Sequence, residues 1–226
     1  MVRLVLFDID GTLVHTGGAG TAAFKQTFAT EFNLHHGTEQ MKFAGRTDVS
    51  LVREFFRLHG LDESPAHFRK FFDRYVFWLD QILVHSQGEP CRGVGPWLAE
   101  LQALPHPPRL GLLTGNIRLG AEIKLRYFNL WEFFETGAFA DDHEDRNQIA
   151  AVARERGGRL LGEHLRGDQI VVVGDTPLDI ECGRAIGARV LAVGTGNFPI
   201  ERLRAHHPDW AVPNLDSIRA AQLCQC

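Results

Sequence analysis

The 226-residue chain has little cysteine, and what it has is scattered: Cys91, Cys182, Cys224 and Cys226. None falls at the spacing of a zinc site and nothing suggests a disulfide framework, so the expectation is reduced thiols in a cytoplasmic protein. Cys224-Gln225-Cys226 reads as a frayed tail rather than a metal-binding pair. Long hydrophobic runs are also missing. The opening MVRLVLF is too short for the apolar part of a signal peptide and runs straight into acidic residues. No stretch approaches the ~20 residues of a membrane span. An excess of basic charge is absent as well. Lys and Arg number 24 against 28 Asp and Glu, for a net charge of −4. That lacks the footprint of a nucleic-acid binder and disfavours an anionic membrane surface as partner.

What the chain does have is a rhythm. Apolar runs at 2–7, 109–113, 169–173 and 189–193 read as buried strands, with a weaker one at 137–140. Helical patterns at 117–128, 144–157 and 177–187 separate the later runs. Such alternation implies an α/β fold, a Rossmann-like parallel sheet with helices on both faces. The first half breaks the rhythm with helix alone, at 19–33, 46–59, 65–86 and 96–104. Ten of the 16 phenylalanines fall between residues 16 and 91, enough for a helical core of their own, and their plainest role is packing. GEPCRGVGP at 88–96 has the composition of a linker. The expected organisation is an α/β core from residues 1–15 and 92–226, interrupted by a helical unit at 16–91.

The chemistry gathers where the strands end. The first stops at Asp8-Ile9-Asp10-Gly11-Thr12, the second at Thr114-Gly115-Asn116, and the run IVVV at Gly174-Asp175-Thr176-Pro177-Leu178-Asp179. Ligands of open parallel sheets bind beyond the carboxyl ends of the strands. Groups more than 160 residues apart in sequence should therefore meet at one edge, where clustered carboxylates suit a hard cation such as Mg²⁺. Each piece has a plainer alternative taken singly. TGN makes a turn with Asn116 as an N-cap. TPLD makes a helix start, with Thr176 capping, Pro177 at the first position and Asp179 closing a capping box. All three in this order, each closing an apolar strand, is hard to produce by accident.

FDIDGTL, LLTGN and VVVGDTPLDI resemble the first, second and fourth motifs of the haloacid dehalogenase superfamily, and the helical insert resembles its C1-type α-helical cap. The chain is most similar to the phosphoglycolate-phosphatase-like and β-phosphoglucomutase-like members. The resemblance implies a Mg²⁺-dependent phosphatase of small phosphate esters. In it Asp8 is the nucleophile and Asp10 the general acid and base, while Gly11 and Thr12 turn the chain and orient Asp10. The cation would be held by Asp8, the Asp10 carbonyl and Asp175, with Asp179 supporting. Thr114, Gly115 and Asn116 would hold the phosphoryl group.

Two positions depart from that pattern. Relatives carry a lysine some thirty residues after the threonine motif; here Arg146, in DDHEDRNQIA, stands near that place. Arg146 is the candidate phosphate-binding cation. Lys124 is held in reserve, because a mid-helix lysine reads as a surface charge. His15 stands where relatives often have an acid, at the entry to the cap. In FAGRTD (43–48), Arg46 is a candidate partner for a substrate's carboxylate or second phosphate. Gly17, Gly18, Gly88, Gly93 and Gly95 suggest hinges at 14–18 and 88–95. A phosphomutase of the β-phosphoglucomutase type shares every core residue. A non-catalytic phospho-acceptor module is a third alternative, but such receivers lack both DxDGT and a large cap. Monomer is the default expectation.

Overall fold

The computed structural model describes residues 1–224. Its main sheet is six-stranded and parallel, in the order β5-β4-β1-β6-β7-β8. The strands are β1 (Leu4–Phe7), β4 (Arg109–Leu113), β5 (Thr136–Ala138), β6 (Ile170–Gly174), β7 (Arg189–Val193) and β8 (Trp210–Val212). Two further strands, β2 (Val14–His15) and β3 (Glu89–Pro90), pair antiparallel as a separate ribbon.

The central position of β1 follows from its residues, all four of which are buried. A strand alternates its side chains between faces. Val5 and Phe7 therefore pack with Trp97, Leu98 and Leu101 of α4 (Val94–Gln102) and with Ala121 and Leu125 of α5 (Arg118–Tyr127). Leu223 of α9 (Ala220–Cys224) joins that layer. Leu4 and Leu6 face the other way, towards Ile149 and Ala153 of α6 (Arg146–Leu161), Ile180 of α7 (Pro177–Ala185) and Leu203 of α8 (Ile200–Arg204). Both faces are covered, which is why these strands read as continuous apolar runs.

Three helices follow the β2 strand: α1 (Ala19–Phe32), α2 (Asp48–Leu58) and α3 (Pro65–Leu83). Their phenylalanines interlock in one aromatic cluster, with Phe28 stacked on Phe55 at 3.7 Å between ring centres. Ile117, at the foot of α5, belongs to the same cluster, so the helices sit against the sheet layer rather than apart from it.

The elements depart from the sequence reading at informative places. Helix α6 runs on through Gly157 and Gly158 to Leu161, past the expected end at 157. Gly157 is inside the helix where it presses on β1, since a Cβ there would lie 2.3 Å from Leu4 Cδ2, and Gly158 is where the chain folds back, since a Cβ there would lie 2.7 Å from the Glu163 carbonyl. Strand β8 was not expected; it is three half-buried residues at a sheet edge, too short for a pattern. Cys224 is buried at the end of α9 rather than frayed, while Gln225 and Cys226 lie outside the described residues. Cys91, Cys182 and Cys224 are free thiols. Among the described residues no helix is long and apolar enough to cross a membrane.

Candidate active site

The carboxyl ends of β1, β4, β6 and β7 open into a cavity of about 420 Å³, closed from above by α1, α3 and the 43–48 loop. On its floor, carboxylate oxygens of Asp8, Asp175 and Asp179 all lie within 4.8 Å of one another, and all three residues are buried. Burial, opposed by the Arg146 guanidinium and reinforced by the charges of Asp179 and Asp10, pushes Asp8 up to about 7. Burial together with the charges of Asp179 and Asp8 pushes Asp175 well above the usual carboxylate range. Three buried acids held this close call for positive charge, the condition in which a hard divalent cation binds oxygen ligands.

The local scaffold explains how the carboxylates are held. Thr12 donates to Asp175 Oδ1 at 3.0 Å, so its hydroxyl holds Asp175 in place. Gly11, at φ +81°, lets the chain turn over Asp175. Asp179 closes the expected capping box on α7, accepting from the Thr176 amide at 2.9 Å and the Thr176 hydroxyl at 2.7 Å. Its other oxygen accepts from Arg146 Nη2. That pairing answers why a cation begins α6 against the helix dipole. Arg146 also reaches to 3.7 Å from Asp8 Oδ1 and donates to the Gly45 carbonyl at 3.2 Å, so one guanidinium links the carboxylate floor to the loop above.

Asp10 points elsewhere. Its Oδ2 accepts from Lys124 Nζ at 2.7 Å and from Asn116 Nδ2 at 2.8 Å, while Lys124 also donates to Asn116 Oδ1 at 2.6 Å. Lys124 is only 3 % exposed, which corrects its reading as a surface charge. Position alone hid this: helix α5 starts at the TGN turn, and its second turn brings Lys124 back beneath the site.

The TGN turn itself is packed from within. Thr114 is fully buried, its hydroxyl accepting from the Asn116 side chain at 2.9 Å. Asn116 is not the N-cap of α5. The Ile117 amide is bonded instead by Asp48 Oδ2 at 2.8 Å, and the Asp48 amide by the Gly115 carbonyl at 2.7 Å. The 43–48 loop is thus latched onto TGN, so closely that a Cβ at Gly115 would lie 2.2 Å from the Arg46 carbonyl. Burial, opposed by Lys124 and the Ile117 amide, pushes Asp48 up to about 6. Arg46 lines the cavity, but its guanidinium is paired with Glu54 and reaches the Ser50 carbonyl at 3.4 Å. His15 is exposed on the β2–β3 ribbon, at the cavity rim.

One functional loop escaped the sequence reading. After β7, Thr195 donates to the Gly11 carbonyl at 2.6 Å, and Gly196 lies so near Asp175 that a Cβ there would be 1.6 Å from its Oδ2. The signal was present: Thr195-Gly196-Asn197 repeats the TGN of 114–116, here one glycine beyond an apolar strand.

A parallel sheet bearing buried carboxylates at its strand ends, roofed by helices, defines a class of α/β enzyme. Residues 5–193 match the haloacid dehalogenase-like hydrolase family, and the chain belongs to it. It is similar to pyrophosphatase PpaX of Oceanobacillus iheyensis, 26% identical over 225 residues, covering 96% of this chain and 95% of that protein. It is also similar to a phosphoglycolate phosphatase of Rhodospirillum rubrum, 27% identical over 207 residues, covering 87% and 81% of the two chains. In fold it matches CbbY from Rhodobacter sphaeroides, solved with phosphate, at a TM-score of 0.71 and 19% identity over 88% of each chain. With this family and these relatives, it is a phosphatase-like hydrolase.

Proposed function

We propose that the protein hydrolyses a small phosphate monoester through an aspartyl phosphate on Asp8. The observation that carries this reading is the division of labour between two carboxylates two residues apart. Asp8 faces the carboxylate floor and Arg146; Asp10 faces Lys124 and Asn116. Environments that separate two acids in this way assign them different tasks.

Asp8 attacks phosphorus, forming its own bond to the phosphoryl group as the bond to the leaving oxygen breaks. Asp10, fixed in direction by Lys124 and Asn116, gives the leaving oxygen its proton and then takes one from the water that releases phosphate. Arg146, Gly115 and Asn116 line the cavity where the phosphoryl oxygens would lie, and Thr114 backs Asn116. Asp8, Asp175 and the backbone carbonyl of Asp10 would hold Mg²⁺, with Asp179 placed behind by its bond to Arg146. The cation would supply the charge that lets clustered carboxylates stay ionised beside a phosphoryl dianion. Residues 16–91 serve as a cap over a core of 1–15 and 92–226, and the β2–β3 ribbon, where the chain crosses twice, is the place for it to swing. The free thiols Cys91, Cys182 and Cys224 suit a reducing compartment, which supports reading the protein as a cytoplasmic enzyme of small metabolites.

The test is phosphate release from a panel of esters, with Mg²⁺ and with excess chelator, in the native protein and in Asp8→Asn. The expected result is activity that needs the cation and vanishes in the variant. Turnover that survives in Asp8→Asn would refute the assignment.

A further inference from the structure

The roof of the cavity differs in character from its floor. Phe24, Phe43, Leu51 and Tyr75 line it from above, and burial with the charges of Asp48 and Asp10 keeps the Tyr75 phenol protonated. Against these stands Asp48, a buried carboxylate facing the same space. Three strongly basic side chains line the cavity, and a carboxylate already engages each. Lys124 is on Asp10, Arg146 on Asp179, and Arg46 on Glu54. The remaining basic group, His15, stands exposed at the rim.

An anionic leaving group would need a partner here. A carboxylate or second phosphate on the substrate, once its phosphoryl end sits on the floor, would enter a space walled by aromatic rings and Asp48. Withdrawing an ionised group from water without a counter-charge is strongly unfavourable. Like charge opposite Asp48 adds to that cost. A neutral leaving group meets neither obstacle, and an apolar face on it gains from burial against the rings. At about 420 Å³ the cavity holds a metabolite-sized ester at the lower end of ligand-pocket sizes.

We infer that this enzyme selects monoesters whose leaving group is uncharged and partly apolar, and discriminates against pyrophosphate and carboxylate-bearing esters, the substrates named for its relatives. The inference rests on the phosphatase reading above. Its cause is specific: among the described residues every Lys and Arg lining the cavity is already paired with a carboxylate, and His15 stands out at the rim rather than beside the roof.

Matched substrates isolate the charge. The values of kcat/KM are compared for benzyl phosphate against 4-carboxybenzyl phosphate, and for ethylene glycol phosphate against phosphoglycolate, with pyrophosphate alongside. The expected result is at least a tenfold preference for the neutral member of each pair. Thr21 lines the cavity from an exposed position on α1, so Thr21→Lys adds an ammonium without disturbing the core. It should narrow each ratio at least threefold with an unchanged melting temperature. Equal or better turnover of the anionic members, still Mg²⁺-dependent and lost in Asp8→Asn, would overturn the inference while leaving the phosphatase reading intact. A ratio unmoved in Thr21→Lys would overturn it too, because the assigned cause would be wrong. Silence on every ester would end both together.

Discussion

The floor and the roof of the cavity are built on opposite principles. The floor is a few polar residues delivered by strand ends, each fixed by named hydrogen bonds: Thr12 on Asp175, Thr176 on Asp179, Lys124 on Asp10. The roof is aromatic mass from three helices, in which Phe24, Phe28, Phe55 and Phe71 hold one another by ring contacts, and Asp48 latches it to the floor. On the function proposed above, chemistry is placed by directional contacts, and selection falls to shape and charge in the roof. The two regions should therefore fail differently when altered.

The largest effect is expected on the floor. Asp8→Asn should lower phosphate release at least ~10³-fold, since removing a nucleophile removes the step itself. Its thermal stability should hold or rise, because an amide relieves the crowding of three buried acids; a variant that melts early would instead mean Asp8 is structural. On the roof the order is reversed. Phe28→Ala should cost about 3–5 kcal/mol in urea unfolding, as for other buried aromatics, while protein that remains folded keeps its turnover on a minimal ester. A loss of turnover as large as that of Asp8→Asn would erase the distinction.

The latch between the regions carries a pH signature. The folded Asp48 carboxyl binds its proton more tightly than the unfolded one. The stability it contributes is therefore fully present below the ordinary carboxylate pKa and is lost as pH rises through about 6. Fully expressed, that loss is about 3 kcal/mol. Asp48→Asn keeps an acceptor for the Ile117 amide and should remove the Asp48 share of the slope from denaturation curves taken between pH 4 and 7, leaving the shares of Asp8 and Asp175 in place. An unchanged slope would place the titration elsewhere. The smallest of these effects sharpens the floor itself. Gly196→Ala pushes a methyl against Asp175 and should reduce kcat about 10²-fold through displacement alone, with KM for the ester little changed.

The floor was legible in the sequence because its residues come in contiguous blocks at the ends of apolar strands, where topology guarantees convergence. The parallel sheet was legible for the same reason, and the Thr176–Asp179 capping box could be read residue by residue. What escaped depends on three-dimensional proximity without local pattern. Lys124 looks like any helical lysine until the turn of α5 brings it to Asp10. Asp48 looks like the first residue of a helix, and only the docking of its loop makes it the acceptor for the Ile117 amide of α5. The helix expected to end at 157 continues to Leu161, because close packing of Gly157 on Leu4 of β1 makes that glycine part of α6. The pairing of Arg46 with Glu54 is equally local to the folded state, and it is what removes a cation from the cavity.

The central claim is that Asp8 carries the phosphoryl group, and it can be tested at that atom. Acid-quenched enzyme from steady-state turnover is treated with borohydride, which reduces an acyl phosphate to an alcohol, and the peptides carrying residues 8–10 and 175–179 are sequenced by mass spectrometry. The account predicts homoserine in place of Asp8, with Asp10, Asp175 and Asp179 unchanged. Homoserine at one of those other positions, with Asp8 intact, would contradict it.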